Sequence, residues 1–409
     1  MTARAGLRLL LAHGMTATAM AMPWPALLAR VWSDTHSDGW LGLAGASRML
    51  PYVLLSAVAG ILADRYRRTT VLRWSAAVRG VLLVACAEAL RADALDWAVG
   101  LAVLTVAAGT PAYPAAVAAL PQLTRGDSGR LLGLLVTVEV SAFVVGPAVG
   151  GLLLGVGDGA WAVAAGAALG VLAVPLLVGL DSGRPQAEGA VGHPGRLRTV
   201  LGSPQVPAVI AVVALVNFTE SAASVGLLPL SHEHWGAGDR DFGIGTAALG
   251  FGSMAAPLVA LLVRLRGSLL LTAGGLAAAG AAPGVVLAAG PLAVSGAAGT
   301  TVECVVTDVL QRAVPDRVRA FSLGLTDSVM VLAAALGALL APQLTSAVGP
   351  VPTFVSLALL LCLAGVWLSA LRVRRSHGVS GDRGTEGPQG CGLPDGRQQA
   401  GRAREVERR

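Results

Sequence analysis

Apolar runs of about 20 residues recur along the whole chain, and the breaks between them are short and carry nearly all of its arginine. A bilayer-crossing helix needs ~20 apolar residues, because the hydrocarbon core is ~30 Å thick and a helix rises ~1.5 Å per residue. Twelve runs meet that length, near residues 9–31, 40–63, 71–90, 97–120, 131–155, 160–180, 207–230, 243–263, 268–287, 291–310, 320–347 and 351–371. They are rich in Ala, Leu, Val and Gly and lack the two-residue alternation of a membrane β-barrel. Charged residues make up 13% of the chain, against roughly 25% in soluble domains, which excludes an ordinary soluble protein. The expected fold class is therefore an all-α polytopic membrane protein with twelve transmembrane helices in two six-helix bundles. Arg4 and Arg8 precede a cleavage-like Ala17-Thr18-Ala19, but the apolar run continues to Val31, which predicts an uncleaved first span.

All 30 basic residues are Arg. With a cytoplasmic N-terminus, 25 of them face the cytoplasm and only Arg30, Arg91 and Arg240 face outward, leaving Arg48 and Arg79 inside spans. That asymmetry predicts cytoplasmic N- and C-termini. The absence of Lys, with an excess of Ala and Gly, fits a GC-rich bacterial genome and hence a bacterial inner membrane. Residues 1–180 are expected to form an N-terminal six-helix bundle, 181–206 a cytoplasmic central linker and 207–371 a C-terminal six-helix bundle. Residues 372–409, with nine Arg against five acids, read as a disordered basic tail. Two six-span halves around a polar linker suit a transporter.

Ionisable groups in hydrocarbon are costly and mark function. Glu139 in the fifth span and Glu303 in the tenth each lie about 12 Å in from the arginine-rich end. Asn217 and Glu220, three residues apart in the seventh span, share a helix face, and Asp327 lies in the eleventh. These five are the candidates for proton or substrate coupling, since a carboxylate held away from water favours its protonated form. The structural alternative is a silent ion pair, Glu139 or Asp327 with Arg79. Arg48, Arg79, Tyr52 and Tyr113 are candidate cavity residues, and His13 is a further embedded basic group. His232-Glu233-His234 with Asp239 and Asp241 reads as a solvated loop, a metal site being its alternative. The four cysteines show no metal or disulfide spacing, and neither a phosphate-binding loop nor a catalytic cluster stands out. No cofactor, metal or nucleic acid is expected. The expected partners are a small-molecule substrate, protons and the lipid bilayer, with the chain acting as a monomer.

Two motifs narrow the reading. Gly60-Ile61-Leu62-Ala63-Asp64-Arg65-Tyr66-Arg67-Arg68 resembles the G-x-x-x-D-R-x-G-R-R loop of the major facilitator superfamily. Gly60, Asp64, Arg65 and Arg68 match, while Arg67 replaces the usual Gly and Thr69 a basic residue. The resemblance implies a cytoplasmic latch, with arginines bridging the bundles. Gly146-Pro147-Ala148-Val149-Gly150-Gly151 is similar to the G-P-x-x-G-G signature of that superfamily's exporters. Pro147 removes a helix hydrogen bond, and Gly146, Gly150 and Gly151 permit close helix approach. Pro111 to Pro121 and Leu310 to Arg319 resemble the macrolide-efflux and enterobactin-exporter branch, although the fourth span lacks the buried Arg of many drug:proton antiporters. What the resemblance implies is export of an amphipathic antibiotic, drug or siderophore-like metabolite by alternating access, in exchange for protons. The alternatives are an importer or symporter, a membrane-embedded enzyme and a non-transporting sensor.

Overall fold

The computed structural model describes residues 3–55, 65–123, 128–155, 159–182, 202, 206–314 and 316–380. The described residues are helical almost throughout, with no strand among them. The first half comprises α1 (Ala3–Ala21), α2 (Pro23–Thr35), α3 (Asp38–Ser47), a helical turn at 50–55, α4 (Arg68–Arg91), α5 (Leu95–Gly109), α6 (Ala112–Leu123), α7 (Ser128–Leu154) and α8 (Gly159–Leu177). The second comprises α9 (Val206–Pro229), α10 (Asp239–Ser253), α11 (Ala256–Leu262), α12 (Leu265–Ala281), α13 (Val285–Ala313), α14 (Asp316–Val348) and α15 (Pro350–Ser380).

Eight helical segments of the described residues are long and apolar enough to cross a membrane, and α10 with α11 makes a ninth if that bent pair is one span. The other three expected spans are interrupted or short. The first breaks between α1 and α2, where Pro23 has no N–H to continue the helix ladder. The second runs from α3 into residues 56–64, outside the described part. The ninth is α12, 17 residues long. The eighth span bends by 54° at Met254–Ala255, between Gly252, which lies on the backbone of Ala293, and Pro257 in the first turn of α11. The fourth is interrupted at Thr110–Pro111 between α5 and α6.

Helices in lipid gain little from burying apolar surface against one another, so small residues that bring backbones together hold the bundle by dispersion. In the first half α4 packs on α5 and α8, and α1 on α7 and α8; in the second α9 packs on α14 and α13 on α10 and α12. Trp74, Val81, Leu172, Leu261, Leu262 and Val286 point outward, as a lipid-facing surface requires.

The halves meet through α3 with α14 and α7 with α10. These approaches lie toward the end opposite the arginine-rich loops. A side-chain carbon at Gly151 would sit 2.8 Å from the Gly243 carbonyl, and one at Gly42 would sit 2.5 Å from that of Leu339. The outer part of the first span, α2, touches α9 and α10, whereas α1 makes no comparable contact with the second half. Side-chain hydrogen bonds and ion pairs among the described residues each stay within one half.

Candidate functional site

Glu139 sits eleven residues into α7 and His13 ten residues into α1, so both lie about 15 Å from the same end. The helices are neighbours, and His13 Nε2 meets Glu139 Oε2 at 2.5 Å, with the side chains 3% and 20% exposed. Gly146 and Gly150 face the same partner: carbons added there would strike the Thr18 and Met22 carbonyls. The exporter-like motif thus seats α7 on the first span, and Gly151 seats it on α10. The Tyr113 ring lies 6.0 Å from His13, and Tyr52 lies 6.3 Å from Phe143, so aromatic groups flank the pair.

The expected alternative, Glu139 or Asp327 held by Arg79, does not form. Arg79 donates instead to the backbone carbonyls of Thr16 at 3.2 Å and Ser75 at 3.3 Å. The guanidinium reaches α1 past Gly109 of α5, whose lack of a side chain leaves room for it. Arg48 is half-buried, and its Nε has no hydrogen-bond partner.

In the second half, Asn217 Nδ2 donates to Glu303 Oε1 at 2.7 Å and to the Val213 carbonyl at 3.0 Å. Glu220, one turn along α9, lies over Gly299 of α13, where any side chain would collide with its carboxylate. Glu220 Oε1 is buried without a hydrogen-bond partner. Asp327 is exposed on α14 and has no ion-pair partner among the described residues. The structure therefore groups Glu139, His13 and Tyr113 in the first half and Asn217, Glu303 and Glu220 in the second. Among the described residues no hydrogen bond or ion pair joins the two groups or brings Arg48, Arg79 or Asp327 into contact with a candidate carboxylate. The matching depth of His13 and Glu139 was the signal that could have paired them.

Gly60 and Asp64 of the latch motif lie outside the described residues. Arg65 is exposed. Arg68 donates to the Ala118 carbonyl at 2.7 Å, Arg67 pairs with Asp181 at 3.3 Å, and Arg73 donates to the Leu180 carbonyl at 3.1 Å. Thr69, replacing the usual basic residue, is buried and exchanges hydrogen bonds with Ser182. The bridging expected of these arginines is not seen among the described contacts, which tie the third span to the fourth and sixth within the first half. At the opposite end, Arg30 pairs with Asp34 at 2.8 Å and Asp93 at 2.7 Å. There Arg30, Asp93 and Asp239 line a pocket of about 340 Å³. His232 pairs with Asp239 at 3.2 Å, and no three metal-binding side chains cluster among the described residues.

The sequence model of the Major Facilitator Superfamily matches residues 9–329. No curated protein matches the chain in sequence. Among solved structures, it is similar to a bacterial homolog of the human lysosomal transporter Spinster in an inward-facing, occupied conformation. That match has a TM-score of 0.70 at 14% identity and covers 90% of this chain and 96% of the other. The nucleoside transporter NupG gives 0.70 at 13% identity, with 90% and 98% covered. A D-xylose–proton symporter gives 0.65 at 16%, with 89% and 95% covered. At these identities the likeness is one of fold.

Proposed function

We propose that this chain, which belongs to the Major Facilitator Superfamily, exports a small amphipathic compound in exchange for protons. Its membership makes it a secondary transporter that works by alternating access, not an enzyme. Export, antiport and the substrate range of antibiotics, drugs or siderophore-like metabolites are our reading. The observation that carries it is the set of carboxylates inside the bundle: Glu139 on His13 in one half, and Glu303 on Asn217 beside Glu220 in the other. Such groups gain and lose protons without leaving the membrane, and each change alters what a bound compound meets. A proton that displaces substrate from these acids shifts the population between access states, because the two states bind it differently. The G-P-x-x-G-G stretch supports the export direction through its resemblance, and its glycines seat α7 against both halves.

In this reading residues 1–180 and 207–371 rock as bundles about the central site, with 181–206 joining them on the cytoplasmic side. The chain acts as a monomer in a bacterial inner membrane with both termini cytoplasmic. The expected tail at 372–409 begins later than its composition suggested, since α15 continues to Ser380, and it is solvated and basic. The test is proton release from acidified everted vesicles, read with a pH-sensitive dye during additions of amphipathic antibiotics and siderophores. A compound-triggered signal with the wild-type protein, lost in Glu139→Gln or Glu303→Gln at equal protein level, is the expected result. Unchanged proton-driven transport in both variants removes these acids from the mechanism, and compound uptake with the proton gradient instead of against it establishes import.

A further inference from the structure

The interruption of the fourth span at Thr110–Pro111 adjoins a groove of about 510 Å³ on the outside of the first half. Tyr66, Val71, Trp74 and Val78 line it on the side of α4, and Ala108 and Pro111 line it opposite. Residues 71, 74 and 78 recur at helical spacing, so they form one stripe along α4. The Ser75 hydroxyl donates across to the Ala108 carbonyl at 2.6 Å, and Ser75 itself is buried. That bond closes the floor, and neither His13 nor Glu139 lines the groove. Trp74 and Val78 are exposed, which turns its open side toward lipid.

The depth and the mouth of the groove select one kind of occupant. From Thr70 to Val78, α4 rises about 12 Å, most of the ~15 Å of hydrocarbon in one leaflet. The mouth, at Tyr66, lies in the arginine-rich loop, where residues 64–73 hold Arg65, Arg67, Arg68 and Arg73 against a single acid, Asp64. Arg67 pairs with Asp181 at 3.3 Å. Arg68 and Arg73 donate to the carbonyls of Ala118 and Leu180, which fill hydrogen bonds without balancing charge. Arg65 and Tyr66 are exposed, and Arg65 pairs with no acid among the described residues. An apolar channel one leaflet deep thus ends in positive charge beside a tyrosine, a residue favoured at the headgroup level.

We infer that this groove holds one acyl chain of an anionic phospholipid from the leaflet at the arginine-rich end, its phosphate on Arg65 with the Tyr66 hydroxyl donating to it. The planar guanidinium fork suits a phosphate, which it grips through two parallel hydrogen bonds. An anionic headgroup also gains from every arginine held near the membrane surface. A zwitterionic headgroup would bring a cation of its own against these arginines, and a neutral tail would leave them unmatched. The closed floor at Ser75 and Ala108 makes the groove a seat on the outside of the bundle, not a route to its centre. The assignment is independent of the direction of transport and of its coupling to protons.

The test uses the full chain in nanodiscs of phosphatidylcholine that contain a small, equal fraction of lipid brominated along its chains, either phosphatidylglycerol or phosphatidylcholine. Bromine quenches the fluorescence of a tryptophan it touches. The difference between the wild-type protein and Trp74→Phe, a change on the lipid face, isolates the ring in the groove. Brominated phosphatidylglycerol should quench Trp74 with an apparent affinity about fivefold higher than brominated phosphatidylcholine, a difference of about 1 kcal/mol. Arg65→Gln should bring the two lipids together, and Ala108→Leu, which fills the groove, should lower the quenching of Trp74 by both. Equal quenching by the two lipids, or a preference for phosphatidylcholine, makes the groove ordinary lipid-facing surface and overturns the assignment without recourse to either of these variants. No quenching of Trp74 by either lipid means that another occupant covers the groove, and overturns it as well. A full preference kept in Arg65→Gln overturns the headgroup contact, and quenching unchanged in Ala108→Leu overturns the seat of the chain.

Discussion

The two halves place a carboxylate at similar depth in the membrane and treat it in opposite ways. In the first, Glu139 has a dedicated ionisable partner, His13 at 2.5 Å, from the helix on which its own glycines are seated. In the second, Glu303 has only the Asn217 amide, and Glu220 has an oxygen with no partner. A fold built of two related bundles therefore does not dictate the electrostatics of its centre. The first half stabilises a particular arrangement of one pair, while the second keeps acids whose surroundings leave the incoming group to decide their state.

The sharpest way to break this contrast is His13→Ala. It strands the Glu139 carboxylate inside the bundle, and removing one partner of a buried pair costs about 3–5 kcal/mol. We expect a lower denaturant midpoint in detergent and reduced yield, with most of the loss recovered in His13→Ala/Glu139→Gln. A double variant no better than the single would show that His13 acts through shape alone. Asn217→Ala should cost less, about 1 kcal/mol, the usual scale of an interhelical hydrogen bond in a membrane protein. A loss as large as that of His13→Ala would erase the distinction between the halves. Glu220→Met has the smallest expected effect on stability, within about 1 kcal/mol or a gain, because an apolar side chain replaces a buried oxygen that lacks a partner. Marked destabilisation, read by the same midpoint, would reveal a contact that Glu220 makes and Met cannot.

Much of this centre was legible in advance. The cost of charge in hydrocarbon singled out Glu139, Glu303 and Asp327, and helical spacing put Asn217 and Glu220 on one face. Periodicity tells which face a residue occupies but not which helix lies against it. For that reason Arg79 was an equally good partner for Glu139 on paper, and only the adjacency of α1 and α7 selects His13. Breaks were legible where proline removes an N–H, as at Pro23 and at Pro257, which lies in the first turn of α11 just after the 54° bend at Met254–Ala255. The close approach of Gly252 to Ala293, a neighbour distant in sequence, was not. The latch motif is a different case. Gly60 and Asp64 lie outside the described residues; of the rest, Thr69 in place of a basic residue exchanges hydrogen bonds with Ser182, and Arg67 and Arg68 bond within the first half.

Where the halves meet at Gly151 and Gly243, backbone lies directly on backbone, and the described ion pairs and side-chain hydrogen bonds stay on either side of that seam. Dispersion between two atoms is worth only ~0.1–0.2 kcal/mol, and a gap of about 0.5–1 Å already forfeits roughly a quarter to a half of it. Such a joint behaves like a dry catch: stiff while its faces touch, and without drag once they part. The ease of parting at that point is set by fit, and a single methyl group on either face acts as a wedge.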